Sequence, residues 1–398
     1  MQQQAKYRIK GGFGSHSSRL LKLALLLLLL GVPRACIEPY LPRIDEDVDL
    51  VSVEGSIVKG EEVQTLVIAK ATSLVYPQYQ LVKGCKAFVI DDQGKEFAYT
   101  ENGEGKYEVR IADEDLVFNR QYKLKFTTPK GDEYESDWET LSSGAEVDTV
   151  YYQVEDMIDN LTGEDLRGVQ FYIDLKAPDA RSRYFRWNLE ETYEYTSVAP
   201  VTYYLTGDDD TAIIFPQNIW EVYRCWRTAP IHKLFLASTV NLVVNEKKRI
   251  PLNYVSTETE RLKIKYSLFV RQYTLTEAAY DYWLKNKNDT QESGGLYTQQ
   301  PGQPISNILQ INDPEKQVLG FFWVSHKTEQ RIFLPRINSL PVSEPCELIP
   351  YVPKIHSKGP YPRYVYIDDE TKEELTAPNF CFNCTFKGGV LTKPDFWE

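Results

Sequence analysis

The chain has 398 residues, 45 basic against 57 acidic side chains, a formal net charge of −12 and a mainly polar composition with 13% aromatic residues. An acidic chain repels phosphate backbones, and no basic stretch interleaved with aromatics offsets this, so nucleic acid is excluded as a partner. Only two Met and four His accompany 27 Tyr and 17 Phe, a stock suited to the stiff packing of β-sheets rather than to metal or redox chemistry.

Taken from the N-terminus, the first feature is an apolar run from Leu20 to Leu30, with Lys22 inside it, that ends in Gly31-Val-Pro-Arg-Ala-Cys36. Lys6, Arg8, Lys10 and Arg19 precede the run, and no acid does. It is shorter than the ~20 residues a spanning helix needs, so residues 1–35 read as an export signal and Cys36 as the expected site of lipid attachment. Pro33 and Arg34 depart from the aliphatic and small residues usual before a lipidated cysteine. The 363 residues from Cys36 onward carry 39 basic and 57 acidic side chains, about −18. That length suits two domains working outside the cytoplasm, behind a short acidic tether over 36–48.

Over 49–144 the pattern is alternation broken by turns. Strands are predicted at 50–57, 64–69, 85–90, 96–100, 106–111, 122–127 and 133–140, separated by turn signals such as Asp91-Asp-Gln-Gly94, Asn102-Gly-Glu-Gly105 and Pro129-Lys-Gly-Asp132. Short strands at this spacing predict an immunoglobulin-like β-sandwich.

Over 147–398 the expectation is a larger β-rich domain with one clear helix. Strands are predicted at 147–154, 169–175, 184–195, 262–271, 318–324 and 331–334. In 184–195, alternation puts Phe185, Trp187, Leu189, Glu191, Tyr193 and Tyr195 on one face, and Arg186, Asn188 and Glu190 on the other. A carboxylate on such an aromatic face must be paired if buried, so Glu191 is read as the acid of a structural ion pair, its cation coming from a neighbouring strand, ahead of a ligand contact. In 262–271 the inward set is Leu262, Ile264, Tyr266, Leu268 and Val270. Thr274 as N-cap and Glu277 as its capping-box partner predict a helix through Leu284, ending near 286–289, before a Gly/Gln/Pro loop from Gly294 to Pro304.

The cysteines divide by region. With Cys36 lipidated, Cys85 is left unpaired and buried in a strand, while Cys225, Cys346, Cys381 and Cys384 supply two disulfides in any of three pairings. Cys381 and Cys384 have metal-ligand spacing, but in an oxidising compartment they read as half-cystines. Trp220, Tyr223 and Trp226 form the densest aromatic cluster, read first as β-core and second as a sugar-stacking platform.

Catalytic constellations are missing from the sequence. No Gly-x-Ser-x-Gly elbow occurs, and His232, His326 and His356 stand in no recognisable motif. Glu190 and Glu191 point to opposite faces of one strand and cannot flank one bond. The acidic runs 208–210 and 368–370 lack the spacing of a calcium loop and read as solvated turns. No metal or other cofactor is expected.

Several stretches, in order, resemble one family. They are Cys36-Ile-Glu-Pro-Tyr40, Val53-Glu-Gly-Ser-Ile57, Tyr134-Glu-Ser136, Arg186-Trp187 with Glu191-Thr192, Cys225-Trp226, the helix from Leu275 to Leu284, Ser306-Asn-Ile308, Val318-Leu-Gly-Phe-Phe322, and Cys384 with Gly388 and Lys393-Pro-Asp-Phe-Trp397. Together they are similar to the outer-membrane lipoproteins of Bacteroidota known as DUF4249, a likeness that runs nearly end to end. The resemblance implies a lipoprotein with no established activity, anchored by its N-terminal lipid on the periplasmic or cell-surface face of the outer membrane, and a non-enzymatic role is the reading expected here. It also implies work beside a TonB-dependent receptor in ligand capture or uptake, and it supplies no catalytic residues. Two other classes stay open: a secreted hydrolase acting on glycans or peptides, and an adhesion or scaffold module.

Overall fold

The computed structural model describes residues 50–70, 80–159, 162–206, 212–291, 306–343, 346–352 and 362–398. The signal, Cys36, the tether, the acidic run 208–210 and the Gly294–Pro304 loop lie outside them. The architecture rests on β1 (Val51–Lys59), β2 (Val63–Lys70), β3 (Lys86–Asp91), β4 (Lys106–Arg110), β5 (Gln121–Thr127), β6 (Glu133–Ser136), β7 (Val147–Ile158), β8 (Asp165–Lys176), β9 (Tyr184–Thr196), β10 (Arg224–Ser238), β11 (Glu246–Ser256), β12 (Lys265–Leu275) and β13 (Val318–Pro335), with helix α1 (Glu277–Gln291) between the last two.

The largest sheet has nine strands in the order β10-β9-β12-β13-β1-β2-β4, extended by Thr100–Glu101 beyond β4 and by Gln80–Leu81 beside β2. A six-stranded sheet runs Ile308–Gln310, β6, β5, β3, Glu96–Ala98, with Glu139–Thr140 against β5. A three-stranded sheet is β7-β8-β11, and a five-stranded one is built from short segments between Tyr203 and Thr376. The protein is mainly β, as the alternation predicts.

β13 ties the molecule together. Its first half, Val318–His326, runs parallel to β1, and its second half, from His326 to Pro335, runs antiparallel to β12. The sequence suggests two strands here because the polar stretch His326-Lys-Thr-Glu-Gln330 separates the apolar runs, yet the chain continues through it without a turn. Gly320 is required at the parallel crossing. Its φ is +97°, and a Cβ there would lie 1.8 Å from the carbonyl oxygen of Val53.

Two cores form on one face of the nine-stranded sheet. The first packs Val53, Leu66 and Tyr107 against Val89, Leu124 and Phe126 of the six-stranded sheet, a two-sheet sandwich over the predicted region. Ile308, Val318, Phe322 and Val324, from far along the chain, complete it. The second packs Trp187, Tyr195 and Leu268 against Phe171, Ile173 and Ile250 of the three-stranded sheet. Residues 144–147 thus separate two cores but not two sheets, and the described residues form one compact unit.

Three local expectations change. α1 begins at Glu277, and its cap is Thr276, whose Oγ1 accepts from Ala279 N at 3.2 Å. Thr274 remains in β12, paired with Phe185 and His326, because the sheet hydrogen bonds outlast the local capping signal. Leu262 is buried, but in the 3₁₀ turn Glu260–Leu262 rather than in a strand. β10 and β11 are not predicted, since each carries an internal proline, Pro230 and Pro251. Both are edge strands, where a missing N–H is tolerated.

Candidate functional site

Alternation along β9 sends Phe185 and Trp187 into the second core and turns Arg186 and Asn188 to the opposite face. That face would be solvated, except that α1 lies across it. Tyr280, Tyr282 and Trp283 of the helix pack against Val58, Tyr273, Leu275, Phe321 and Trp323 of the sheet. Arg186 is caught between them and is only 8% exposed. Its Cζ lies 3.5 Å from the Trp283 ring centroid and 5.5 Å from that of Trp323. Trp283 and Tyr273 both meet Trp323 edge-on, at 6.3 and 5.5 Å.

This aromatic setting holds the cation but leaves one of its nitrogens without a hydrogen bond. Arg186 Nε and Trp283 Nε1 are both buried without a partner. Burial lowers the Arg186 pKa to about 10, with Tyr273 and Glu54 opposing, so the group remains cationic at neutral pH. Burial likewise pushes the Tyr273 hydroxyl up to about 12, keeping it neutral.

Arg186 lines a cleft of about 290 Å³ together with Asn188, Trp283, Glu54, Ser56 and Glu61. Glu61 is held by Lys327 Nζ at 3.5 Å, while Glu54 is exposed and makes no ion pair among the described residues. Fixed donors, two carboxylates and aromatic walls in one small cleft can orient a polar ligand. Neither histidine nor thiol lines it. Among the described residues, no group of three or more His, Cys, Asp or Glu side chains could hold a metal ion.

The residues singled out from sequence lie elsewhere. Glu191 Oε2 accepts from Tyr266 Oη at 2.9 Å and faces Arg261 Nη1 at 3.4 Å, so its cation comes from the 3₁₀ turn and not from a strand. Trp220 is 53% exposed and meets Tyr223 edge-on at 4.8 Å, outside any core. Trp226 sits in β10, its backbone bridged to Val390 and its indole N–H buried without a partner. Cys225 bonds Cys384, and Cys346 bonds Cys381. Cys85 is free and half-buried rather than fully buried, with burial raising its thiol pKa. Asp368 closes a solvated turn through Glu370 N and Thr371 N.

Sequence reasoning passes over Arg186 because alternation assigns it to solvent. The available signals are its place between Phe185 and Trp187 and the aromatic run Tyr280, Tyr282, Trp283 on the helix, which needs a surface to cover.

The family model described as a domain of unknown function, DUF4249, matches residues 37–331. No curated protein matches the chain.

Proposed function

The chain belongs to the DUF4249 family, and from that premise we propose that it is a non-enzymatic binding protein, anchored to the outer membrane through lipid on Cys36, that captures a ligand in the Arg186 cleft and works with a TonB-dependent receptor. The observation that carries this reading is Arg186 itself. Arg186 is buried with one guanidinium nitrogen left without a hydrogen bond and no ion pair, and packed apolar residues in its place would be about as stable. A group that the fold does not need for stability, and that opens on a cleft, suits recognition. The anchor supports partnership, because two proteins confined to one membrane meet at high effective concentration and a modest interface suffices.

Glu54 and Glu61 in one cleft recommend a glycan-acting hydrolase as a second reading. Glu54 is exposed and Glu61 engages Lys327, so the cleft lacks the carboxyl group in apolar surroundings that serves as a general acid.

The test is purification of the full chain from native outer membranes, with identification of bound proteins and metabolic labelling with fatty acid. Co-purification of a TonB-dependent receptor, together with lipid label that disappears in Cys36→Ala, is the expected result. Label that persists in Cys36→Ala removes the anchor, and a preparation without any receptor removes the partnership.

A further inference from the structure

We propose that the cleft takes a short peptide with free termini, its carboxylate seated on Arg186 and its ammonium turned to Glu54, an inference that rests on the capture reading above. Arg186 calls for an anion: its guanidinium is nine-tenths buried, stacked on Trp283, and its Nε has no partner. A planar guanidinium matches a carboxylate with two parallel hydrogen bonds, and a neutral polyol brings no countercharge to it.

Glu54 sets the other end. It lines the same cleft, forms no ion pair with Arg186, and has no cation of its own among the described residues, whereas Glu61 is engaged by Lys327. A diacid would bring its second charge against Glu54, and a zwitterion would not.

The sheet order sets the length. β9 and β1 are three steps apart, with β12 and β13 between them. Across the sheet that is roughly 14 Å at about 4.8 Å per step, and the register adds an offset along the strands, since Arg186 lies level with Lys327 through Tyr273 while Glu54 pairs with Phe321, so the two charges stand on well-separated backbone positions. Two or three extended residues, at about 3.5 Å each, can bridge the gap left between the two side chains, and the adjacent charges of a single amino acid cannot. The volume of about 290 Å³ lies at the small end of ligand sites, which excludes long peptides. Asn188, which lines the cleft, can serve the peptide groups between the termini.

The experiment is calorimetric titration of the full chain with triglycine, triglycine amide, N-acetyl-triglycine and maltotriose. Triglycine should bind, and its amide should bind roughly 30-fold or more weakly, the loss that follows removal of one partner from a buried charge pair. N-acetyl-triglycine should lose up to about fivefold, because Glu54 is exposed. Arg186→Gln should abolish triglycine binding. Glu54→Gln, at an exposed position that does not threaten folding, should erase the difference between triglycine and its N-acetyl form. Equal binding of triglycine and its amide, or binding of maltotriose in their place, overturns the ligand class and leaves the capture reading standing. Silence from all four also overturns the class, and capture is then decided by the co-purification experiment.

Discussion

On the core side of β9, Trp187 Nε1 donates to Gln272 Oε1 at 2.9 Å, Tyr195 Oη donates to the Cys384 carbonyl at 2.7 Å, and Glu191 is met by both Tyr266 and Arg261. On the opposite side Glu190 is paired too, with Arg271 at 3.3 Å and Arg331 at 3.5 Å, but Arg186, under the helix, is not. Burial alone does not explain the difference, since Trp187 and Arg186 are adjacent and both buried. The core side must satisfy its polar groups for two sheets to close on each other. The helix side closes only in part and leaves a cleft lined by Arg186, Asn188 and Trp283, space that another molecule can occupy.

The largest way to break this contrast is to release the far end of the core side. Replacing both Cys225 and Cys384 by Ala opens a closure of 159 residues, next to the Tyr195 hydrogen bond. It should lower stability by roughly 4–5 kcal/mol, read from denaturant unfolding. An unchanged midpoint would show that the sheets hold that end unaided.

Next in size is a pH effect at the helix that roofs the cleft. Glu139 Oε2 accepts from Thr276 Oγ1 at 2.7 Å beside the start of α1, and burial pushes its carboxyl pKa up to about 7. The folded state therefore holds the proton more tightly than the unfolded one. The contribution is fully present below the ordinary value near 4.5 and is lost as pH rises through about 7. The loss is of order 3 kcal/mol across that window. Glu139→Gln should flatten this part of the stability profile, and a slope that survives the substitution assigns it to another group.

Glu191→Gln sharpens the contrast from the core side. It keeps the shape but removes the charge that Arg261 faces, leaving a half-buried cation poorly compensated, and should cost about 1–3 kcal/mol in calorimetry. Arg186→Met should move stability by no more than about 1 kcal/mol in either direction, because a similar volume replaces a charge that has no partner. A loss as large as that of Glu191→Gln would mean that the Trp283 contact makes Arg186 structural.

The alternation of residues 184–195 was enough to place Trp187, Leu189 and Tyr195 in a core and to demand a partner for Glu191. It could not say that the partner is Arg261, because that residue reaches the strand from a turn about seventy positions away. The candidate site was legible only in pieces: an arginine between two aromatics, and an aromatic run on a helix.

From sequence alone come the β class, the sandwich over the first hundred or so residues after the tether, the solitary Cys85 and the family, because strand periodicity, turn chemistry and the ordered motifs are carried by neighbouring residues. The tertiary structure decided the parallel pairing of β1 with β13, the Cys225–Cys384 and Cys346–Cys381 bridges, and the burial of Arg186. Each depends on which distant element covers a given face. Period-two alternation separates one side of a strand from the other, but only packing determines whether the second side meets water, a sheet or Trp283.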